Sequence, residues 1–283
     1  MSRSVLRLAA AATAALALVL TGCAQGEPEA TDTATVPADD AYVTPGTLTI
    51  ATGDIAYEPY VIDDDPSSGE GFEAAVAYAI ADELGFAEED VEWVRTSFEA
   101  AIAPGPKNFD FNIQQYTITD ERKQAVDFSS PYYSASQAVV ALKGSAAEGV
   151  ESIAGLKSLK LGAMAGSTSA QTIESVVQPD VEPSLYGSNE DVVAALNGKQ
   201  IDAFVIDLPT AYAATNFYIE NSFIVGELPL GDVPDQWGVV LPKDSPLTGA
   251  VTAAVDDLRE NGTLDELTDQ WLGVLQEGVT LLK

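Results

Sequence analysis

The segment that decides the fold class spans residues 160–177 and reads KLGAMAGSTSAQTIESVV. Residues 160–163 have the composition of a buried strand, and residues 170–177 form a helical stretch. Between them lie glycine and hydroxyl residues, which suit a tight turn and the cap of a helix. The segment therefore predicts a strand, a loop and a helix, which is the repeating unit of an α/β protein.

The same alternation continues on both sides of this segment. Short β-branched runs predict further strands at residues 47–51, 91–94, 109–113, 137–142, 203–206 and 238–241. Apolar residues at helical spacing predict helices over 72–84, before Gly85, and over 247–258, before Asn261-Gly262. Thr263 and Glu266 have the spacing of a capping box and predict one more helix. The pattern predicts α/β units on a largely parallel sheet.

Composition excludes several classes of function. The 283 residues include 44 acids but only 13 Lys and Arg, for a formal charge of −31, which opposes binding to nucleic acids and to anionic lipid. The sequence has no histidine, so Ser-His-Asp and Cys-His catalysis and the usual zinc sites are excluded. Cys23 is the single cysteine, so an intramolecular disulfide is excluded as well.

The N-terminus has the pattern of a secretory signal. Arg3 and Arg7 precede an apolar run at 8–20, which is too short for a membrane-spanning helix of about 20 residues. The run ends in Leu20-Thr21-Gly22-Cys23, which resembles the bacterial lipobox and implies lipidation of Cys23 and cleavage before it. The alternative is a chance cysteine after an ordinary signal. Residues 1–22 are therefore predicted as a lipoprotein signal peptide and 23–45 as a flexible acidic tether.

Two charged residues stand out from their surroundings. Arg122 follows the possible helix cap Thr119, and a cation at a helix N-terminus calls for an anionic partner, either a ligand or Asp120 or Asp127. Asp207 follows the apolar run 203–206, and an acid at the carboxyl end of such a strand lies where α/β proteins bind ligands. A helix-capping role for Asp207 is the alternative.

Two loops complete the candidate site. Residues 162–169 form a helix start that suits a carboxylate, although an ordinary N-cap would have the same sequence. Residues 53–60 offer the carboxylate of Asp54 and the rings of Tyr57 and Tyr60, and a plain loop with surface aromatic residues is the alternative.

The order of these segments resembles the family 3 extracellular solute-binding proteins of ABC transporters, which bind polar amino acids. The resemblance covers residues 47–272 and is carried by Gly71-Phe72-Glu73, by VDFSSPYY at 126–133, and by residues 53–60, 109–122, 165–168, 201–207 and 237–243. It implies a type II periplasmic-binding-protein fold with two α/β lobes and two crossover hinge strands. The implied lobes are 46–137 with 231–283, which includes a C-terminal tail, and 138–230.

The resemblance also implies roles for single residues. Arg122 would hold the α-carboxylate of the ligand, assisted by the backbone N–H groups of Thr117 and Thr168. Asp207 would hold the α-ammonium group, near the Thr117 hydroxyl and the Gln115 carbonyl. The other predicted ligand-binding residues are Tyr57 over the ligand side chain, Asp54 at its far end, and Gln114 and Met164 in the pocket wall.

The sequence therefore predicts a monomeric, lipid-anchored receptor on the outer face of the cytoplasmic membrane that delivers an amino acid to an ABC permease. A polar or basic ligand is favoured, because Asp54 would face the tip of its side chain. The predicted protein is not an enzyme and uses no cofactor or metal. Two alternatives are a dehydratase-like enzyme on the same fold, with Asp54 as its acid, and a sensor module that signals after binding.

Overall fold

The computed structural model describes residues 38–229, 235–273 and 278–283. The predicted signal peptide and Cys23 lie outside these residues. Part of the segment assigned to the tether is packed: Tyr42 is buried, and its ring lies 5.0 Å from that of Phe86. The backbone N–H of Val43 donates to Asp110 Oδ1. The packed part of the chain therefore begins by Tyr42, before residue 46.

Two five-stranded sheets form the framework. The first has the order β2 (Val91–Thr96), β1 (Leu48–Gly53), β3 (Phe111–Asn112), β10 (Asp235–Pro242) and β4 (Val126–Ala135). The second has the order β7 (Ser184–Tyr186), β6 (Leu161–Met164), β8 (Ala203–Asp207), β5 (Gln137–Leu142) and β9 (Ser222–Glu227).

Helices cover both sheets. Those of the first sheet are α1 (Phe72–Glu83), α2 (Phe98–Ile102), α7 (Thr248–Glu260) and α8 (Thr263–Leu272). Those of the second are α3 (Ile153–Leu156), α4 (Thr168–Thr172), α5 (Asn189–Asn197) and α6 (Leu208–Ala213). Single π-helical turns at Ile173–Val177 and Ala214–Tyr218 extend α4 and α6. We call each sheet with its helices a lobe. No helix among the described residues has the length and apolar character needed to cross a membrane.

The fold class is confirmed, with one correction. Both sheets are mixed rather than largely parallel: β1 pairs in parallel with β2 and β3, but β10 runs antiparallel to β3 and β4. In the second sheet β6 pairs in parallel with β7 and β8, whereas β5 runs antiparallel to β8 and β9. The antiparallel strands are those next to the crossovers, where the chain passes directly from one sheet to the other.

The lobes are joined at short crossovers. Only Ser136 separates β4 from β5, and the chain returns to the first sheet between β9 and β10. The C-terminal residues also reach the second lobe: Leu281 bridges Glu227 on β9, and Leu282 is buried in that lobe's core. Residues 278–283 thus pack on the second sheet, although α8 packs on the first.

The predicted capping box is wrong in its details. Helix α8 begins at Thr263, and Gly262 stands at the N-cap with no side-chain cap. A glycine there adopts the left-handed conformation, φ 88°, at little steric cost, and this conformation ends α7 and starts α8 within two residues.

Candidate functional site

A cavity of about 430 Å³ lies between the two lobes. Its size falls within the range of small-molecule sites, roughly 300–1,000 Å³. The cavity is lined by eight of the predicted site residues: Asp54, Tyr57, Gln114, Gln115, Arg122, Met164, Thr168 and Asp207. The ninth, Thr117, lies just behind this wall, where its hydroxyl is 3.2 Å from that of Thr168. The structure therefore brings both lobes' candidates to one place.

Arg122 is buried in the cavity wall, with 8% of its surface exposed. One guanidinium nitrogen donates to the Thr117 carbonyl at 2.8 Å, and another donates across the cleft to the Gly166 carbonyl at 3.0 Å. A guanidinium carries five N–H donors, so these two bonds leave others for a bound anion. The charge itself is not matched by an ion pair within the described part of the chain.

The structural alternatives for Arg122 do not occur. Asp120 pairs with Lys123, and Asp127 pairs with Lys243 at 2.9 Å. The guanidinium instead lies over two stacked rings, 5.4 Å from the ring centre of Phe98 and 6.0 Å from that of Tyr116. Burial lowers the pKa of Arg122, and nearby Tyr116, Asp235 and Asp207 oppose that shift.

Two backbone N–H groups next to Arg122 suit a carboxylate. Thr168 is the first residue of α4, so its N–H has no acceptor inside the helix. Thr117 lies opposite Trp237 in an isolated β-bridge. The backbone donors of this bridge are the N–H groups of Ile118 and Gly238, so the Thr117 N–H takes no part in it. Ser167 caps α4 by accepting from the Ala170 N–H, so the ordinary N-cap is present as well.

Asp207 enters the cavity from the second lobe, at the carboxyl end of β8. It stands at the N-cap of α6, but its side chain does not cap that helix. Its Oδ1 instead accepts from the Gln137 amide at 2.5 Å. Burial and then the charge of Asp235 raise the pKa of Asp207 well above its usual value, whereas the bond from Gln137 opposes the shift.

Asp235 and Gln137 were missed by the sequence reasoning. Gln137 Nε2 also donates to Asp235 Oδ2 at 2.5 Å, so one amide bridges both carboxyl groups. The Gln137 oxygen accepts from Ser169, which fixes the orientation of the amide. The Thr117 hydroxyl bonds the other oxygen of Asp235. A signal existed, because Gln137 opens a predicted strand that is otherwise apolar.

Glu73 is a second missed acid in the cavity wall. It lies in the first turn of α1 with 1% of its surface exposed. Its carboxyl group accepts from the Gln115 backbone N–H at 2.7 Å, from the Gln115 amide and from the Tyr132 hydroxyl. Burial raises its pKa from 4.5 to about 7, although these hydrogen bonds oppose the shift.

The loop with Asp54 and Tyr57 forms the outer wall of the cavity. Arg95 holds this loop by donating to the Gly53 carbonyl at 2.9 Å and to Asp64 at 2.7 Å. Asp54 is exposed at the cavity edge and has no hydrogen-bond partner among the residues described. Tyr60 is buried, and its hydroxyl lies 2.8 Å from that of Thr210 in the other lobe.

The two glutamines of the wall are already engaged. The side-chain oxygen of Gln114 accepts from the Tyr116 hydroxyl at 3.1 Å, and the side-chain amide of Gln115 donates to Glu73. Gln114 Nε2 and the Gln115 oxygen are the side-chain groups left to face a ligand. Phe98, which the sequence analysis did not select, adds an aromatic wall beside them.

The arrangement can hold a small molecule that carries both charges. One cation lies on the first lobe with a backbone donor from each lobe beside it, and one acid lies across the cavity on the second. Across the described ranges no cluster of three or more acids or cysteines is arranged to hold a metal ion.

Comparisons with known proteins agree with this geometry. The model of the bacterial extracellular solute-binding proteins, family 3, matches residues 48–274. The ABC transporter glutamine-binding protein of Bacillus subtilis (strain 168) is 30% identical over 212 residues, which is 73% of this chain and 75% of that protein. The glutamate-binding protein of Corynebacterium efficiens is 28% identical and covers 96% of this chain and 94% of its own length.

A solved structure extends the likeness to three dimensions. An ancestral arginine-binding protein bound to arginine superposes with a TM-score of 0.65 at 32% identity, over 81% of this chain and 99% of that one. The family match spans most of the chain and includes both sheets and the cavity between them. The chain therefore belongs to the bacterial extracellular solute-binding proteins of family 3.

Proposed function

We propose that this protein is the receptor of an ABC importer for amino acids. A lipid on Cys23 anchors it to the outer face of the cytoplasmic membrane. It captures a polar or basic α-amino acid between its lobes, as a monomer and without turnover, and delivers it to a permease. We further propose that the chain crosses between the lobes near residues 137 and 231, so that residues 138–230 form the second lobe, on which residues 278–283 also pack.

The observation that carries the proposal is the pairing of Arg122 and Asp207 across one cavity. An α-amino acid has a carboxylate and an ammonium group on adjacent atoms, so it needs one cation and one acid held a short distance apart. Because these two residues lie on different lobes, a bound amino acid stabilises the closed arrangement. The N–H groups of Thr117 and Thr168 support the carboxylate end.

The charges of the cavity wall support a polar or basic ligand. Four acids line the cavity, namely Asp54, Glu73, Glu190 and Asp207, and Arg122 is the only basic residue among the described residues that line it. Once Arg122 binds the α-carboxylate, a side-chain carboxylate would have no second cation there. A guanidinium, ammonium or amide could donate to Asp54 and to the Gln115 oxygen.

The relatives support amino acids as the ligand class without selecting one. Their names specify glutamine, glutamate and arginine. The ranking of basic and amide ligands above acidic ones therefore rests on the cavity of this chain.

A thermal-shift measurement with the twenty common amino acids tests the proposal. We expect arginine, lysine, histidine or glutamine to raise the melting temperature. Stabilisation by glutamate or leucine alone would contradict the ligand class, and no response to any amino acid would contradict the amino-acid receptor itself.

Substitution Arg122→Ala tests the carboxylate site. Removing one partner of a buried ion pair costs about 3–5 kcal/mol, so we expect the affinity for the stabilising amino acid to fall by roughly two to three and a half decades. Calorimetric titration measures the loss, and circular dichroism checks the fold. Arg259→Ala is the matched control, because Arg259 pairs with Asp256 on α7 and does not line the cavity. A loss below threefold for Arg122→Ala would show that this residue only braces the two carbonyls.

A further inference from the structure

The Gln137 amide, which bonds both Asp207 and Asp235, lies at the crossovers between the lobes. Asp235 is the first residue of β10 and pairs with Ala135, the last residue of β4. Gln137, two residues further along the chain, is the first residue of β5 and pairs with Asp207. The short connection through Ser136 therefore brings an acid of each lobe to the same amide.

The two carboxyl groups have unequal hydrogen bonding. Both oxygens of Asp235 accept a hydrogen bond, one from the Thr117 hydroxyl and one from Gln137. Asp207 accepts from Gln137 through Oδ1 only, and its carboxyl group also hydrogen-bonds that of Asp235, a bond that needs a proton on one of the two acids. Hydrogen bonds to a carboxylate favour its charged form. Asp235 is thus the more fully hydrogen-bonded acid, and Asp207 is the one that can keep a proton.

The surroundings do not neutralise a second negative charge. Arg122 is the cation facing the pair, and its charge already interacts with both acids. The other groups around Asp207 are the hydroxyl of Tyr60, the amide of Gln137 and the carboxyl of Asp235. The Ser169 hydroxyl bonds Gln137, and the Thr117 hydroxyl bonds Asp235. Glu73 lines the same cavity as a further acid. When two carboxyl groups are in contact in such a site, they do not both lose their protons near the ordinary pKa of a carboxylic acid.

We propose that Asp235 is a positioning residue that holds a proton on Asp207 until an amino acid binds. The ammonium group of the amino acid then takes the place of that proton beside Asp207 Oδ2, and the proton leaves to solvent. Only the O–H bond of the Asp207 carboxyl breaks: its electron pair stays on the carboxylate, water takes the proton, and one proton is released for each amino acid captured. The inference rests on the proposed function, and it adds a proton-linked affinity that a single ammonium-binding acid would lack. Burial and the charge of Asp235 raise the pKa of Asp207, in agreement with this arrangement.

Calorimetric titration with L-arginine and L-glutamine between pH 5 and pH 8 tests the inference. For the wild type we expect affinity to fall by about tenfold for each pH unit below the pKa of Asp207. Titration at neutral pH in phosphate and in Tris, which differ in ionisation enthalpy, measures the proton released. In Asp235→Asn the acid at 207 loses its charged neighbour, so we expect binding to persist to lower pH and proton release to fall.

Two control variants separate this role from others. Asp127→Asn changes an acid that pairs with Lys243 outside the cavity, and we expect it to keep the wild-type pH profile. Glu73→Gln removes the other buried acid, and we expect proton release to remain. A purely structural Asp235 would weaken binding equally at every pH in Asp235→Asn, and this outcome overturns the inference.

The remaining outcomes are also decisive. Wild-type binding that is constant from pH 5 to pH 8 with no proton release overturns the inference but leaves the receptor proposal intact. If Asp235→Asn does not fold, the test uses the other two proteins. The inference is supported if the wild type releases a proton on binding and Glu73→Gln releases it as well. If none of the twenty amino acids binds, the proposed function fails and this inference fails with it.

Discussion

At the scale of single residues, Glu73 combines a structural and a chemical role. Its carboxyl group bonds the backbone of Gln115, which holds the left-handed conformation with φ 48°. A non-glycine residue adopts that conformation at a cost, so the bond to Glu73 helps to fix the wall that carries both glutamines. The same acid is buried without a cation, which makes its charged form unfavourable.

Glu73 makes stability depend on pH. Its pKa is about 7 in the folded protein against 4.5 ordinarily, so between these values the folded state binds more protons than the unfolded state. The contribution of Glu73 to stability is therefore present below pH 4.5 and is lost as pH rises to 7. The loss amounts to about 3 kcal/mol at roughly 1.4 kcal/mol per pH unit.

We expect Glu73→Gln to remove this component of the pH dependence. Urea unfolding at pH 5 and at pH 8, for the wild type and the variant, measures it. Glu190→Gln is a suitable control, because Glu190 lines the cavity on the other lobe and is exposed. An equal slope in the wild type and Glu73→Gln would show that Glu73 is already ionised in the folded protein at pH 5.

The sequence indicated some site residues and concealed others for a physical reason. Arg122 and Asp207 stood out because a cation at a helix start, or an acid closing an apolar strand, conflicts with its local surroundings. Glu73 and Asp235 show no such conflict among 44 acids, since an acid in the first turn of a helix is ordinary. Their importance comes from burial and from partners distant in sequence, such as Tyr132 and Thr117.

At the scale of elements, the start of α1 depends on the close approach of two backbones. Gly71 precedes the helix with φ 106°, and a Cβ built on it would lie 2.5 Å from the Tyr60 carbonyl oxygen. The Phe72 N–H donates to the Pro59 carbonyl at 2.9 Å, which attaches α1 to the loop of Asp54 and Tyr57. A glycine is required where two main chains come this close.

We expect Gly71→Ala to destabilise the protein by about 2–4 kcal/mol, from the strained φ and the backbone clash together. Because α1 carries Glu73, amino-acid affinity should fall as well. Denaturant unfolding measures the first effect and calorimetric titration the second. Gly249→Ala in α7 is the matched control: its Cβ would meet nothing within 4 Å, so stability should stay equal or rise by up to about 1 kcal/mol. Equal stability of the wild type and Gly71→Ala would mean that α1 can shift to admit a methyl group.

The elements that sequence patterns predicted are the regular ones. Strand β5 matches its prediction at both ends, and the ends of β1 and α1 differ from theirs by at most two residues. Strand β4 was missed because serines and Pro131 interrupt its apolar pattern; Pro131 lies at an irregularity in the pairing with β10, where a strand tolerates proline. Strand β7 has only three residues, and its pairing partner β6 lies twenty residues away. Pairing of this kind depends on tertiary contacts, which local periodicity does not record.

At the scale of the whole molecule, the lobes meet through polar contacts around the cavity. Arg122 with Gly166, Thr117 with Thr168 and Tyr60 with Thr210 each join the two sides. Gln137 and Asp235 form a further link, and a bound amino acid would add a stronger one, because its two charges meet opposite charges on different lobes. Under the proposed function, the closed shape is thereby tied to the ligand and is what a permease would recognise.

The anchor is the last element of the proposed function, and Cys23→Ala tests it. The sequence Leu20-Thr21-Gly22-Cys23 places the single thiol where lipid attachment requires it. We expect Cys23→Ala to bind its amino acid normally but to leave the membrane fraction, because an unlipidated acidic chain is repelled by anionic lipid. Fractionation of expressing cells and labelling with a radioactive fatty acid measure both changes. Gln25→Ala, two residues away, should keep the label and the membrane location. Full membrane retention of a cleaved, unlabelled Cys23→Ala chain would show that another attachment holds the receptor in place.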